Sequence, residues 1–391
     1  MTKYKINLFL AVVFHVKLIS QNFNFDSDIK ISEEFRYFFN EPSFQGQEDF
    51  FPSYSLTPKF NIKFNENNII FRGFFRHDKD IRRTHVDLRE FYYQTSISKY
   101  DFSIGYHQVF WGVAESNNLV DIINQNDAVE SPFGNDKLGQ PLSKFTYSSK
   151  NTGVFSFFLM PFHRKIVFPG KKSRFRFPLV LNRNFIKYEE NNKKLKKDFA
   201  FRWNHYFDIV DIGLSYFNGN GREPIFNRNT FMAFYPMISQ FGLDLQLTFE
   251  TFLFKFEGIK RTADVQSFYA QVVGLEYTFN NVNGNGLDIG MISEYSYDDR
   301  GALAVNSLQN DVFFGTRFNW NDFSGTSLLV GLLSDIKYNS QSFSCDFSRR
   351  FKEVYKINLE FQYFLNIDSR ELLLPFFIND HFFKIELSQF F

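Results

Sequence analysis

From Phe241 to Glu250 the chain alternates without a fault. Phe241, Leu243, Leu245, Leu247 and Phe249 hold one parity; Gly242, Asp244, Gln246, Thr248 and Glu250 hold the other. Successive strand side chains point to opposite faces, so the pattern predicts a strand with one apolar and one polar side. Phe252, Phe254 and Phe256 against Lys255 and Glu257 repeat it, as do Tyr355, Ile357, Leu359, Phe361 and Tyr363 against Lys356, Asn358, Glu360 and Gln362. A soluble sandwich also alternates, but its strands are shorter and its buried face is seldom this aromatic. Segments of ten or more residues match a tilted membrane strand. Phe318, Trp320, Tyr363 and Phe364 gather near segment ends, as interfacial aromatic girdles do. A bilayer core gives an open sheet edge nothing to bond, so such a sheet must close on itself. The fold class expected is all-β, a transmembrane antiparallel β-barrel.

Seventeen segments of this kind can be traced, from 53–64 to 381–391, and short connections alternate with long ones. Bacterial barrels pair short periplasmic turns with longer outer loops and have even strand numbers. Adding Glu34–Asn40 at the front gives eighteen strands with both chain ends in the periplasm, sixteen being the alternative. A barrel of that size is wide enough to hold an aqueous channel. Before it, residues 1–20 read as a signal peptide: Lys3 and Lys5, an apolar run from Ile6 to Ile19, and Ser20 ahead of the cleavage point. Residues 21–33 are then a short periplasmic segment, and 34–391 the barrel. That leaves no room for the plug domain of a large active transporter.

Composition sharpens the reading. The mean hydropathy is −0.29 and would suggest a soluble chain. Yet 57 Phe and 19 Tyr among 391 residues exceed what a compact core can absorb. At the end of the chain, Phe383, Ile385, Leu387 and Phe391 share a parity opposite Lys384, Glu386 and Ser388. An amphipathic last strand ending in Phe resembles the signal that outer-membrane proteins present to their barrel assembly machinery. The location expected is the bacterial outer membrane, with outer-membrane lipid and lipopolysaccharide as surroundings. A net charge of +1 gives no general attraction to nucleic acid.

The inward parity is rich in charge of both signs. Asp244, Lys255, Glu257, Glu276, Asp288, Glu294, Arg317, Asp335, Asp346, Arg350, Lys356, Glu360, Lys384 and Glu386 share it, joined by Arg72, Arg76, Asp87 and Arg89 nearer the amino terminus. Such residues either set selectivity for small solutes in a pore or pair across strands and keep the lumen wet. Between two strands, Val113–Gln140 has apolar residues at helical spacing across Asn117–Asp127. It is expected to form a helical loop that folds inward and narrows the pore, with Trp111 at its start and Asp121, Asn124, Asn126 and Asp127 facing the solute path. A surface helix on the rim is the other reading. Between His163 and Lys197 stand twelve Lys/Arg and two Glu, a net of +10 in a chain of +1. As an outer loop this segment would bind lipopolysaccharide phosphates, draw in anions, or simply be solvated.

Gly105–Asp127, Gln240–Arg261, Ser293–Gly301 and Gln309–Asp322 resemble a porin-like family of outer-membrane barrels with no assigned substrate. Trp111-Gly112 followed by Asp121-Ile-Ile-Asn124 is the most specific part. The resemblance implies a barrel and a solute channel, and names no solute.

Other classes find little support. Cys345 is the only cysteine, which excludes an internal disulfide, and it lies far from any lipoprotein site. His107 shares a parity with Ser103, but neither a nucleophile motif nor a metal-binding HExxH accompanies it. No enzyme, metal or cofactor is expected. An outer-membrane hydrolase remains the distant alternative, and a structural or adhesive barrel acting through its basic loop the nearer one. The width is compatible with a homo-oligomer, although no residue marks an interface.

Overall fold

A computed structural model describes residues 23–131, 136–181, 186–189, 197–226, 232–305 and 308–391 of the chain. The expected signal peptide, 1–20, lies outside the described residues. Eighteen antiparallel strands form one sheet. They are β1 (Phe23–Phe38), β2 (Phe50–Phe64), β3 (Asn67–Asp78), β4 (His85–Ile97), β5 (Tyr100–His107), β6 (Gln140–Ser149), β7 (Gly153–Met160), β9 (Asp198–Phe207), β10 (Val210–Asn220), β13 (Met237–Phe249), β14 (Phe252–Thr262), β15 (Phe268–Val282), β16 (Leu287–Asp298), β17 (Asn310–Asn319), β18 (Ser327–Asp335), β19 (Gln341–Phe351), β20 (Tyr355–Asn366) and β21 (Phe382–Phe390). β1 pairs with both β2 and β21, so the sheet closes into a barrel without a free edge. Three further short strands, β8 (Ile186–Tyr188), β11 (Ile225–Phe226) and β12 (Ala233–Tyr235), make a separate small sheet within the loops.

Alternation decides what each face meets. Phe241, Leu275, Phe314 and Tyr363 point outward and are exposed, while their neighbours Asp244, Glu276 and Glu294 are buried inside. The short turns, the start of β1 at Phe23 and the end of β21 at Phe390 share one rim. At that rim Asn65, Ser98, Asp208 and Glu250 adopt positive φ, the conformation that tight turns between twisted strands require.

β1 corrects the expected amino-terminal boundary. It starts at Phe23, so residues 23–33, expected as a periplasmic segment, are strand. They pair with β2 from Phe23↔Phe64 onward. Asn24, Asp26, Asp28 and Lys30 lend this stretch the composition of a linker, but Phe25, Ile29 and Ile31 still alternate with them.

Two apolar clusters lie inside the barrel rather than between layers. One gathers Phe38, Phe51, Phe175, Phe377 and Phe382; the other gathers Trp111, Val120, Ile123, Phe158 and Phe217. Each joins a strand wall to a loop folded into the lumen.

Candidate functional site

The first infolded loop runs from Gln108 to Gly139, between β5 and β6. Its Trp111, Val120, Ile122 and Ile123 bury against Leu142, Phe158, Met160, Ala200, Phe217, Ile238 and Ile259 of the inner wall. Those wall residues stand where a lumen facing water would carry polar groups. The run Phe157–Met160 is apolar on both parities, the mark of a strand covered on both faces, and it is the signal that sequence reasoning missed.

The loop enters the barrel as expected, but its described residues contain no helix. A helix would close its own backbone bonds; here the wall takes them instead. Glu257 Oε1 accepts from the Val113 (2.6 Å) and Ala114 (3.0 Å) amides, and Oε2 from Val120 (3.2 Å). Glu294 accepts from the Glu115 and Ser116 amides, both at 2.7 Å, and from the Ser116 hydroxyl. Hydrogen bonds to charged groups are the strong ones, and they replace the i→i−4 ladder. Gly112 sits at φ 135°, and a Cβ there would lie 2.9 Å from Glu257 Oε1, so only glycine allows this approach.

The residues expected to face solute hold the loop together. Asn124 donates to the His107 and Leu138 carbonyls and accepts from the Val109 amide. Asp127 pairs with Arg89 at 2.5 Å and lies 3.4 Å from His85. Burial works to raise its pKa, but the His85 and Arg89 contacts outweigh it and hold the carboxyl below its ordinary range. Asp121 pairs with Lys137 at 3.3 Å, and burial pushes its pKa upward. Asn126 forms a strand-like bridge to Lys137, and Trp111 lies beneath the Arg202 guanidinium. Asn124 and Asp127 are thus buried rather than open to the lumen. Irregular backbone inside a barrel leaves groups that need partners, and these side chains supply them.

The second loop follows β7 and corrects the picture of a solvated basic segment. Arg174 is fully buried, pairs with Asp380 (2.8 Å) and Asp49 (2.5 Å), and donates to the Asn40, Glu41 and Asn379 carbonyls. Arg176 donates to the Lys171, Phe177, Pro178 and Gln45 carbonyls. Arg164 reaches Asp87 at 2.5 Å. His163 packs on the Tyr235 ring, where burial, reinforced by Arg222 and Lys165, holds its pKa well below the ordinary value. Much of the expected surface charge is therefore internal cross-linking. Lys171 and Lys172 stay exposed, and Lys193, Lys194 and Lys196 lie outside the described residues.

The closed barrel fold recurs in solved structures. The chain is similar to a BenF-like porin from Pseudomonas fluorescens Pf-5, with TM-score 0.57 and 7% identity over 95% of this chain and 98% of that one. It is similar to OccAB1 of Acinetobacter baumannii, with TM-score 0.56 and 8% identity over 95% and 97%. It is also similar to Wzi of Escherichia coli, an outer-membrane protein involved in group 1 capsule assembly and a carbohydrate-binding β-barrel, with TM-score 0.56 and 8% identity over 93% and 84%. The chain has the porin-type outer-membrane barrel fold. No protein-family model and no curated protein matches it by sequence.

Within this porin-type barrel the charged residues picked from sequence all lie on the inner parity, in two different settings. Toward the outer end they are interlocked. Arg76 contacts Glu34 (3.3 Å) and Glu130 (2.8 Å), Arg89 contacts Asp87 (3.3 Å), and Asp335 accepts from the Lys337 and Tyr338 amides. Lower down they form ladders between neighbouring strands and to the first loop. Arg72 pairs with Glu90, Asp244 with Arg202, Lys255 with Glu276, and Arg317 with Glu276 and Glu115 of the first loop. Lys384 pairs with Glu360, and Lys30 with Glu386. Asp346 and Arg350 are inward yet exposed, Lys356 is half-buried, and Asp288 sits at the turn rim bonded to Asn281 and Asn321. Sequence reasoning missed Glu34 as the partner of Arg76, Arg202 as the partner of Asp244, and the buried pair Arg222–Asp198. Their parity would have exposed Arg202, but the pairs themselves form only when the barrel closes.

Proposed function

We propose that this barrel is a porin-like channel for the passive passage of small solutes, narrowed by its first infolded loop. One observation carries the reading: Asp346 and Arg350 project inward from β19 and still reach water. A hydrated strip of charge beside the loop is what a solute path needs. The stretch from Glu115 to Glu130 crosses from the Arg317 wall to the Arg76 wall, which sets it across that path. The similar barrels are porins and other outer-membrane proteins rather than enzymes, in keeping with a channel. The final strand, whose Phe391 amide bonds back to the Ile29 carbonyl at the barrel seam, serves on this reading as the signal to the assembly machinery.

A binding barrel without flow is the second reading. It is favoured by the densely paired outer half, where Arg174–Asp380 and Arg222–Asp198 are buried on both sides. Planar-bilayer conductance of the refolded protein separates the two. The channel reading expects stepwise currents that grow when residues 117–127 are deleted. A folded, heat-modifiable barrel that passes no current, with or without the deletion, would overturn it.

A further inference from the structure

The channel reading leaves one stretch of the inner wall without a role. Strand register aligns three rows of residues across β17, β18 and β19: Phe313–Leu333–Ser342, Gly315–Gly331–Ser344 and Arg317–Leu329–Asp346. Phe313 is the register partner of Glu294, which holds the first loop, so this parity faces the lumen. Phe313, Leu329 and Leu333 are partly exposed and belong to neither apolar cluster that joins a loop to the wall. The middle row sets the shape. A Cβ on Gly331 would lie 2.5 Å from Phe313 Cε2, and one on Gly315 would lie 2.8 Å from its Cε1. Because both residues lack a side chain, the ring can lie down along the wall. The result is an apolar shelf inside the barrel, a surface that an apolar group would cover favourably.

The charge at the edge of the shelf narrows the choice of solute. Asp346 stands directly across from Leu329 and is exposed, and among the described residues no cation lies within ion-pair distance of it. The neighbouring cations are already engaged: Arg317 with Glu115 (2.5 Å) and Glu276 (3.0 Å), and Lys384 with Glu360. Glu360 is also the register partner of Asp346 on β20, and like charges directly opposite each other repel. A cation arriving at Asp346 relieves that repulsion, whereas an anion adds to it. Arg350, four residues further along β19, is about 13 Å away, too far for a compact solute on the shelf to reach. The Phe313 ring edge over Gly331, by contrast, lies about 8 Å from Asp346, one strand across and two residues along. That span fits a small molecule with a cationic head and an apolar body.

We propose that this shelf is a solute subsite for small organic ammonium ions, with the cationic head at Asp346 and the apolar body on Leu329 and Phe313. The inference rests on the channel reading, which supplies the solute's way in. The probes are 2-phenylethylammonium, which carries both features, ethylammonium, which lacks the ring, and 3-phenylpropanoate, which reverses the charge. Saturation-transfer NMR and calorimetry on the detergent-folded full chain measure binding without requiring flow. Planar-bilayer current in KCl is recorded on the same preparation. 2-Phenylethylammonium should bind, with saturation strongest at its ring protons, and ethylammonium should bind about tenfold more weakly. 3-Phenylpropanoate should bind at least as weakly as ethylammonium. Asp346→Asn, an exposed and nearly isosteric change, should weaken 2-phenylethylammonium about fivefold, roughly 1 kcal/mol. Phe313→Leu should weaken it by a smaller factor. The proposal is overturned by 3-phenylpropanoate binding as tightly as the aromatic amine, or by no binding of that amine. Amine binding indifferent to Asp346→Asn, in a barrel of wild-type heat-modifiable mobility, overturns it equally. KCl current without amine binding rejects the subsite alone, whereas amine binding without current rejects the channel reading and keeps the subsite.

Discussion

In the first infolded loop the buried donors are backbone amides and the acceptors are carboxylates of the barrel wall, Glu257 and Glu294. In the second loop the donors are arginine side chains and the acceptors are backbone carbonyls, those of Asn40, Glu41 and Asn379 around Arg174 and of Gln45 and Phe177 around Arg176. Both arrangements solve one problem, since irregular backbone inside a barrel must be satisfied without a helix or ladder. They do so with opposite charges placed on opposite partners. A carboxylate on a strand suits amides that arrive side by side, whereas a guanidinium fork reaches several carbonyls from different loops at once. The first loop is therefore anchored to the wall and the second to its fellow loops. Damage should spread differently: a broken wall anchor frees one segment, while a broken arginine hub loosens several loops together.

The hub offers the largest effect. Arg174→Ala leaves Asp380 buried without its cation, and breaking a buried pair in this way costs about 3–5 kcal/mol. Thermal unfolding in detergent should register the loss, together with new protease cuts in the β1–β2 and β20–β21 loops. Cuts confined to the second loop would break the hub picture. Next comes Glu257→Ala, which removes the acceptor for three amides and should cost about 1.5–3 kcal/mol. Its outcome should be local: larger or noisier single-channel currents with the outer loops still resistant to protease. Loosening as broad as that of Arg174→Ala would erase the distinction between the loops.

Smallest is the response to pH, and its sign differs between Asp127 of the first loop and the carboxyls of the β20–β21 loop, which Arg174 ties to the second. In the β20–β21 loop, burial raises Asp380 to about 6 against the pull of Arg174, and burial with Asp335 and Asp368 raises Glu371 to about 7. A carboxyl raised in the fold weakens stability above its folded pKa, and that loss disappears below its unfolded value near 4. Acidifying from about pH 7 toward pH 4 should thus slow hydrogen exchange in this loop, after correction for the intrinsic rate. Asp127 of the first loop is held low, so the stability it adds is present above about pH 4 and is lost as pH falls further through its folded pKa. Exchange that accelerates in both loops between pH 7 and pH 5 would contradict both assignments.

Legibility varied by region for identifiable reasons. Phe241–Phe249 and Tyr355–Tyr363 declare their strands because lipid on one side and protein on the other impose period two. The leading half of β1 was harder to place, since Asn24, Asp26 and Asp28 face a hydrated lumen and mimic a linker. Asn117–Asp127 suggested a helix because Val120, Ile122 and Ile123 need an apolar contact. That contact is the Phe158–Met160 wall, which lies next to the loop only in the closed barrel. The arginines of the second loop looked solvated because charge is ordinarily exposed. Only a lumen deep enough to enclose them, with carbonyls already converging, turns Arg174 and Arg176 inward.

By itself the sequence determined a closed barrel of sixteen to eighteen strands, which parity faces lipid, the rim that holds the short turns, and the charge of the inner wall. These follow from local alternation, which the pleat of a strand turns directly into sidedness. Tertiary structure alone decided which of those charges meet water and which clasp a loop, that the first loop is irregular, and that the basic segment is a hub. Each depends on contacts between residues far apart in the chain, such as Glu257 with Val113 and Arg174 with Asp380, and those contacts come into being only when the sheet closes.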